Sequence, residues 1–297
     1  MDVGESVGLL FDEAATVTIR DAVPEPLVPL FEVVTHLGAG STLVVIVLCL
    51  YWFGGAALRT RAFVVGTALG ALGLSTGLKT GFAIERPNPE LLAFAPETYG
   101  GFSFPSAHAL GSAAILTMVA ITLDVGTRWQ RGLAAAALIG AVMLSRVVLG
   151  VHFVGDVLVG ALIGLGFVAV MFLAYPRIGP KSAFGLAFGL GIVGLAVGSP
   201  GHSPLVVGTA LGGLLASPAL EAVDDDPMGT AIPAVAILAV PGFLLVHHSH
   251  VAFSIQSIQI VGYALVTALV LVAPVAGTFS KYRDALRYVG TAFTTRR

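Results

Sequence analysis

Residues 131–175 read RGLAAAALIGAVMLSRVVLGVHFVGDVLVGALIGLGFVAVMFLAY. Two apolar runs, roughly 131–150 and 154–175, are each about as long as a helix needs to cross a hydrocarbon core of ~30 Å. Ser145, Arg146, His152 and Asp156 gather where one run ends and the next begins. The rest of the chain is built the same way. Of 297 residues, 56% are apolar before 37 glycines are counted, only 11% are charged, and the mean hydropathy is +0.94. A soluble domain runs about 25% charged, so this chain can be neither a soluble globule nor a disordered segment. A net charge of −2 gives no basic footprint for nucleic acid. One cysteine, Cys49, permits no internal disulfide. The expected fold is therefore all-α, a polytopic integral membrane protein.

Working outward, nine spans are expected, at roughly 38–56, 61–82, 107–125, 131–150, 154–175, 183–199, 204–220, 231–247 and 256–278. The sixth to eighth are short, which leaves re-entrant segments open. Residues 1–37 are acidic and carry no basic n-region before an apolar one, so no cleavable signal is expected. Leu27–His36 is expected to form a short helix at the interface. Basic residues cluster at 59–61, 128–131, 177–181 and 281–297, which fall on one side if every segment crosses. That side is expected to be cytoplasmic, with the C-terminus inside and the N-terminus outside. The division expected is an extracytoplasmic segment 1–37, a membrane core 38–178, additional helices 179–280 and a basic tail 281–297. Four cations fall on the other side, where no charge bias asks for them: Arg20, Lys79, Arg86 and Arg146.

Three of these four share a pattern. Lys79 closes the second span, and Arg86-Pro87 follow after six intervening residues. Pro105-Ser106-Ala107-His108 open the third, with proline expected at its first helical position. Ser145-Arg146 close the fourth, and His152 and Asp156 stand four apart at the start of the fifth. Three separated segments thus bring cations, imidazoles, a carboxylate and a hydroxyl to one membrane depth. Two guanidinium groups and an ammonium suit a phosphate dianion. The opening of the third span adds free backbone N–H groups. Asp156 can hold one nitrogen of His152 protonated and leave the other as a nucleophile. His108 is a second imidazole that can protonate a leaving oxygen. No carboxylate cluster suggests a metal, and no cofactor is expected. The set reads as phosphoryl transfer to a histidine.

The order K-x6-R-P, P-S-A-H, S-R-x5-H-x3-D resembles the three-part signature of the type-2 phosphatidic acid phosphatase superfamily, over about residues 38–175. That resemblance implies His152 as nucleophile, Asp156 as its orienting group and His108 as acid and then base. It implies Lys79, Arg86, Arg146, Ser106 and the amides at Ala107 and His108 as phosphate ligands, with Pro87, Pro105 and Ser145 in support. Two departures stand out. Ala107 replaces the usual glycine, and Arg86-Pro87-Asn88-Pro89 lacks the second arginine of R-P-R-P. Members usually have six spans in this core, where five are found, so the first is either absent or replaced by the interfacial segment before Gly38.

Taken singly, each span-end cation would most often be a residue snorkelling to the interface. It is their company with two histidines and an aspartate that argues for a site. Gly160-x3-Gly164 reads as helix packing. The acidic run at Glu221 and Asp224–Asp226 reads as a solvated turn. His247, His248 and His250 read as polar loop rather than metal ligands, with no acidic or thiol partner nearby. The function expected is a metal-independent membrane phosphatase. Its substrate would be a lipid phosphate or isoprenyl diphosphate, taken from the bilayer at the outer face. A lipid transporter, a flippase or a lipid phosphotransferase using the same cations is the alternative. Membrane lipids are the expected surroundings, and a second copy of the chain remains open as a partner.

Overall fold

The computed structural model describes residues 8, 10–93, 100–198, 202–222 and 256–294, the last stretch with side chains to 275. Every element is helical among the described residues. We number the helices α1 (Glu13–Asp21), α2 (Val28–Thr35), α3 (Gly40–Phe53), α4 (Leu58–Phe82), α5 (Ala107–Thr122), α6 (Arg128–Val148), α7 (Val154–Ala196), α8 (Ser203–Glu221) and α9 (Gln256–Thr294). Five of these are long and apolar enough to cross a membrane, or six if α2 and α3, which meet at a 48° bend, form one broken span. Nine spans are thus not reached among the described residues. The expected eighth, 231–247, and His247, His248 and His250 lie outside them.

The 43-residue α7 is broken into two helical stretches. Gly179 leaves helical geometry at φ 55°, between Pro176 and Pro180. Before it, Phe172 and Tyr175 meet Phe63 while Phe167 lies beside Gly70, so the chain runs antiparallel to α4. After it, Ala183 lies beside Gly66 and Leu190 beside Gly73, so the chain runs parallel to α4. The direction reverses at Gly179, and the fifth and sixth expected spans are both present. Glycine is the residue that adopts this backbone without strain.

α4 lies at the centre, packed by α7, α5 and α8. Its core is small residues and aromatics, with Phe63, Ala62 and Val64 closed off from solvent. Peripheral α6 and α7 instead turn leucines outward, including Leu133, Leu162 and Leu173 at 57%, 67% and 77% exposure. Water would not tolerate such faces on a folded monomer; lipid does. Gly208 and Gly212 of α8 let α9 come against the helix backbone in parallel, at Ile260 and Ala264. The antiparallel run of α4, α5, α6 and α7 sends Lys79, His108, Arg146 and Asp156 to one end, and Arg59, Arg61, Arg128 and Arg131 to the other.

Candidate active site

The site is assembled where three helix ends meet. α4 stops because Ala83 takes a left-handed conformation, φ 50°, and returns its N–H to Lys79 O at 3.0 Å. Ile84 then accepts from Ser103 N at 2.7 Å, which brings the far end of the intervening loop back to α4. Lys79 secures the same loop, donating from Nζ to Phe102 O at 2.7 Å and Ser103 O at 3.1 Å. α6 stops at Gly150, φ 73°, where a Cβ would run into Leu91 O. Five residues carry the chain from Val148 to the start of α7, and His152 stands among them, 1% exposed.

Asp156 organises the centre through one oxygen. Its Oδ2 accepts from Phe153 N at 3.0 Å, which caps α7 in the manner expected of an acid in the first helical turn. The same atom meets His152 Nδ1 at 3.1 Å and accepts a short hydrogen bond from Ser103 Oγ. Ser103 Oγ is also 3.2 Å from His152 Nδ1. A carboxylate can only accept, so His152 carries its proton on Nδ1 and presents the Nε2 lone pair. Arg86 Nη1 lies 3.5 Å from that Nε2. Burial, and after it the positive field of Arg146, Arg86, Lys79 and His108, holds His152 well below its ordinary value of 6.5. It is therefore a neutral imidazole at neutral pH.

The cations differ in what they hold. Arg86 donates from Nε to Gly100 O and from Nη1 to Val151 O, both at 2.9 Å. Arg146 donates from Nη1 to Thr35 Oγ1 at 2.6 Å, and its buried Nε has no hydrogen-bond partner among the described residues. Neither Lys79 nor Arg146 has a carboxylate partner there. Three cations gather around His152 with Asp156 as the carboxylate beside it, and such an excess of positive charge is favourable only around an anion.

The other expected residues are placed with some corrections. Proline is not the first helical residue of α5: Ser106 is the N-cap, so Pro105 precedes the helix. Ser106 Oγ accepts from Ala109 N at 3.4 Å and so caps α5, while its N–H donates to Asp156 O at 3.1 Å and joins α5 to α7. Ala107 and His108 are the first two helical residues, whose N–H groups a helix leaves unpaired. Ala107 has helical backbone there, which any L-residue adopts, so the departure from glycine costs no conformational strain. Ser145 spends its hydroxyl on Val142 O, 2.7 Å away in its own helix. Pro87 is buried.

Two contributions were not foreseen. Ser103 lies two residues before the P-S-A-H run, and nothing in the sequence singles it out. The acidic N-terminal segment forms a wall of the site. Thr35 holds Arg146, and Gly38 packs so close to His108 that a Cβ would be 3.3 Å from the ring. Glu13 Oε1 accepts from Asn88 N at 2.9 Å, and Arg20 Nη1 donates to Leu91 O at 3.2 Å. Arg20, the fourth unexplained cation, thus braces the loop.

Residues 59–180 match the family model of the PAP2 superfamily. This segment is similar to the PAP2 superfamily core. All the site side chains named above fall within it, apart from Thr35 and the N-terminal brace. Two solved structures are similar in part. One is a transmembrane PAP2-type phosphatidylglycerolphosphate phosphatase from Bacillus subtilis, at 27% identity, covering 56% of this chain and 87% of that one, with a TM-score of 0.47. The other is LpxE from Aquifex aeolicus, at 21% identity, covering 55% and 94%, with a TM-score of 0.45. No curated protein matches the chain.

Proposed function

We propose that this membrane protein is a lipid phosphatase that works through a phosphohistidine on His152. The observation that carries the reading is the pairing of His152 Nδ1 with Asp156 Oδ2, which aims a neutral Nε2 at the cationic cluster. Nε2 attacks phosphorus, and the bond from phosphorus to the lipid oxygen breaks. Lys79, Arg86, Arg146 and the opening N–H groups of α5 take up the charge on the phosphoryl oxygens. His108 gives its proton to the departing lipid alcohol, or to the departing phosphate of a diphosphate. It then takes a proton from water, whose oxygen attacks the phosphohistidine and releases phosphate. Asp156 balances the charge that His152 acquires in between.

A lipid phosphate or isoprenyl diphosphate fits because the site lies at the end of membrane-crossing helices. The head group reaches it while the tail stays among the outward leucines. The opposite end carries Arg59, Arg61, Arg128, Arg131, Arg177 and Lys181, the bias of a cytoplasmic face, so the site faces outside. The test is phosphate release by detergent-purified protein in excess EDTA, from phosphatidate, lysophosphatidate, phosphatidylglycerol phosphate and isoprenyl mono- and diphosphates. Release by the native chain, lost in His152→Ala, with label trapped on His152 by acid-free quenching, is the expected result. Lipid binding without release would overturn it in favour of transport; label passed to an added alcohol would make the protein a phosphotransferase.

A further inference from the structure

A cavity runs along the same helices and opens at the end away from the site. Between α6 and α7, floored by α5, runs an open groove of about 870 Å³. Its length is lined by apolar residues, from Gly132, Ala136 and Gly140 on α6 to Leu158 and Leu162 on α7. Added Cβ atoms at Gly132 and Gly140 would meet nothing within 4 Å. At one extremity stand Arg128 and Arg131; at the other is Met143, three residues short of Arg146. At 1.5 Å per residue the span from Arg128 to Met143 is about 22 Å, more than half a hydrocarbon core of ~30 Å and thus at least one leaflet deep. Arg131 uses Nε and Nη1 to cap Ala120 O and Gly126 O at 2.9 and 3.0 Å, which anchors the mouth and leaves Nη2 uncommitted among the described residues. Arg128 is exposed with no such partner. The one acid in the adjoining turn, Asp124, pairs with neither arginine.

We propose that this groove holds an anionic phospholipid of the leaflet opposite the active site, one acyl chain along α6 and its phosphate between Arg128 and Arg131. Polarity decides the direction of the occupant. A substrate tail entering from the active-site end would press its methyl terminus against two guanidinium groups. A lipid from the opposite leaflet sets its phosphate there and its chain against the apolar walls. The bound chain lies against the helices that carry Arg146 and Asp156, so it props the spacing of the site from the far side.

Native mass spectrometry of the full chain, delipidated and then given phosphatidylglycerol or phosphatidylcholine of equal chain length, tests this. One tightly retained phosphatidylglycerol is expected, preferred over phosphatidylcholine, and Arg128→Gln should weaken it about fivefold. Ala136→Leu, which fills the groove without touching a charge, should weaken both lipids. Arg177→Gln, on the same face outside the groove, should change nothing. Equal retention of the two lipids, or no effect of Arg128→Gln in a folded protein, overturns the proposal. Retention lost in Arg86→Gln but kept in Arg128→Gln would place the lipid in the active site and overturn it as well. None of these readouts depends on turnover.

Discussion

Both ends of this helix bundle gather arginines, and at both ends arginines hold backbone carbonyls. Away from the site, Arg61 donates to Tyr51 O at 2.7 Å and Arg131 to Ala120 O at 2.9 Å. At the site, Arg86 donates to Gly100 O and Val151 O in the same way. Positive charge at a span end therefore says little about chemistry, since it serves loop closure equally well. What separates the ends is the group facing the cations. At one end Asp156 orders His152 and Ser103 inside a buried network; at the other there are carbonyls, lipid-facing side chains and the exposed Asp124. A charge that would snorkel if alone is read, in the proposed mechanism, as a phosphate ligand because an oriented imidazole stands 3.5 Å from it.

Exchanging the acids should break this comparison most sharply. Asp156→Asn keeps the size of the side chain but removes the acceptor that fixes the His152 tautomer. A fall in kcat/KM of about 10³–10⁴-fold is expected, with phosphate release as the measure, by analogy with loss of the orienting carboxylate in hydrolytic triads. Asp124→Asn at the opposite end should leave the rate within about twofold, as surface substitutions do. The next contrast is between arginines of one helix. Arg146→Gln should cost about 10²-fold in kcat/KM, since a charged donor to the phosphoryl oxygens goes. Its thermal midpoint should hold or rise, because a buried, partly unpartnered charge is removed. Arg131→Gln should do the reverse: activity within about twofold, and stability lower by about 1–3 kcal/mol for the lost carbonyl bonds. Equal effects in the two variants would erase the distinction between the ends.

Ser103→Ala gives a smaller effect and a finer reading. Its hydroxyl touches Asp156 and His152 but no position open to substrate, and it is fully buried. It should act through kcat, by about tenfold, with KM little changed and with recovery in Ser103→Thr. A rise in KM alone would mean that the hydroxyl serves only to hold the loop for Lys79.

How much of this was readable in the chain follows the same division. The apolar runs placed seven described helical stretches within a few residues, because length and hydropathy suffice once the solvent is lipid. The three motif fragments placed His152, Asp156, His108 and the cations at one end, since alternating direction alone sends the ends of α4 and α6 together with the starts of α5 and α7. The reversal at Gly179 falls in the break expected between 154–175 and 183–199, which the basic residues Arg177 and Lys181 mark. Ser103 and Thr35 were not legible. Each is a lone hydroxyl in an unremarkable stretch, and its role comes from a partner 53 and 111 residues away. Hydropathy made the N-terminal segment an interfacial helix, whereas its Thr35, His36 and Gly38 form the side of the site facing Arg146 and His108.

The smallest effect concerns pH. His152 is neutral in the folded chain because burial lowers its proton affinity, with the cations adding to that. Protonation of Nε2 would remove the nucleophile, so the acid limb of kcat/KM should lie below 6.5, the ordinary imidazole value. The sign for stability agrees. An unfolded His152 takes up a proton below about 6.5 and the folded one does not, so stability falls as pH drops through that range. Arg86→Gln takes away one of the cations and should move the limb upward, while Arg86→Lys should leave it in place. The movement must be partial, because burial, the larger cause, is untouched by either change. A limb that reached the ordinary range in Arg86→Gln would mean that the cationic field, and not the walls of the pocket, keeps His152 neutral. The two ends of the bundle would then differ in charge arrangement alone.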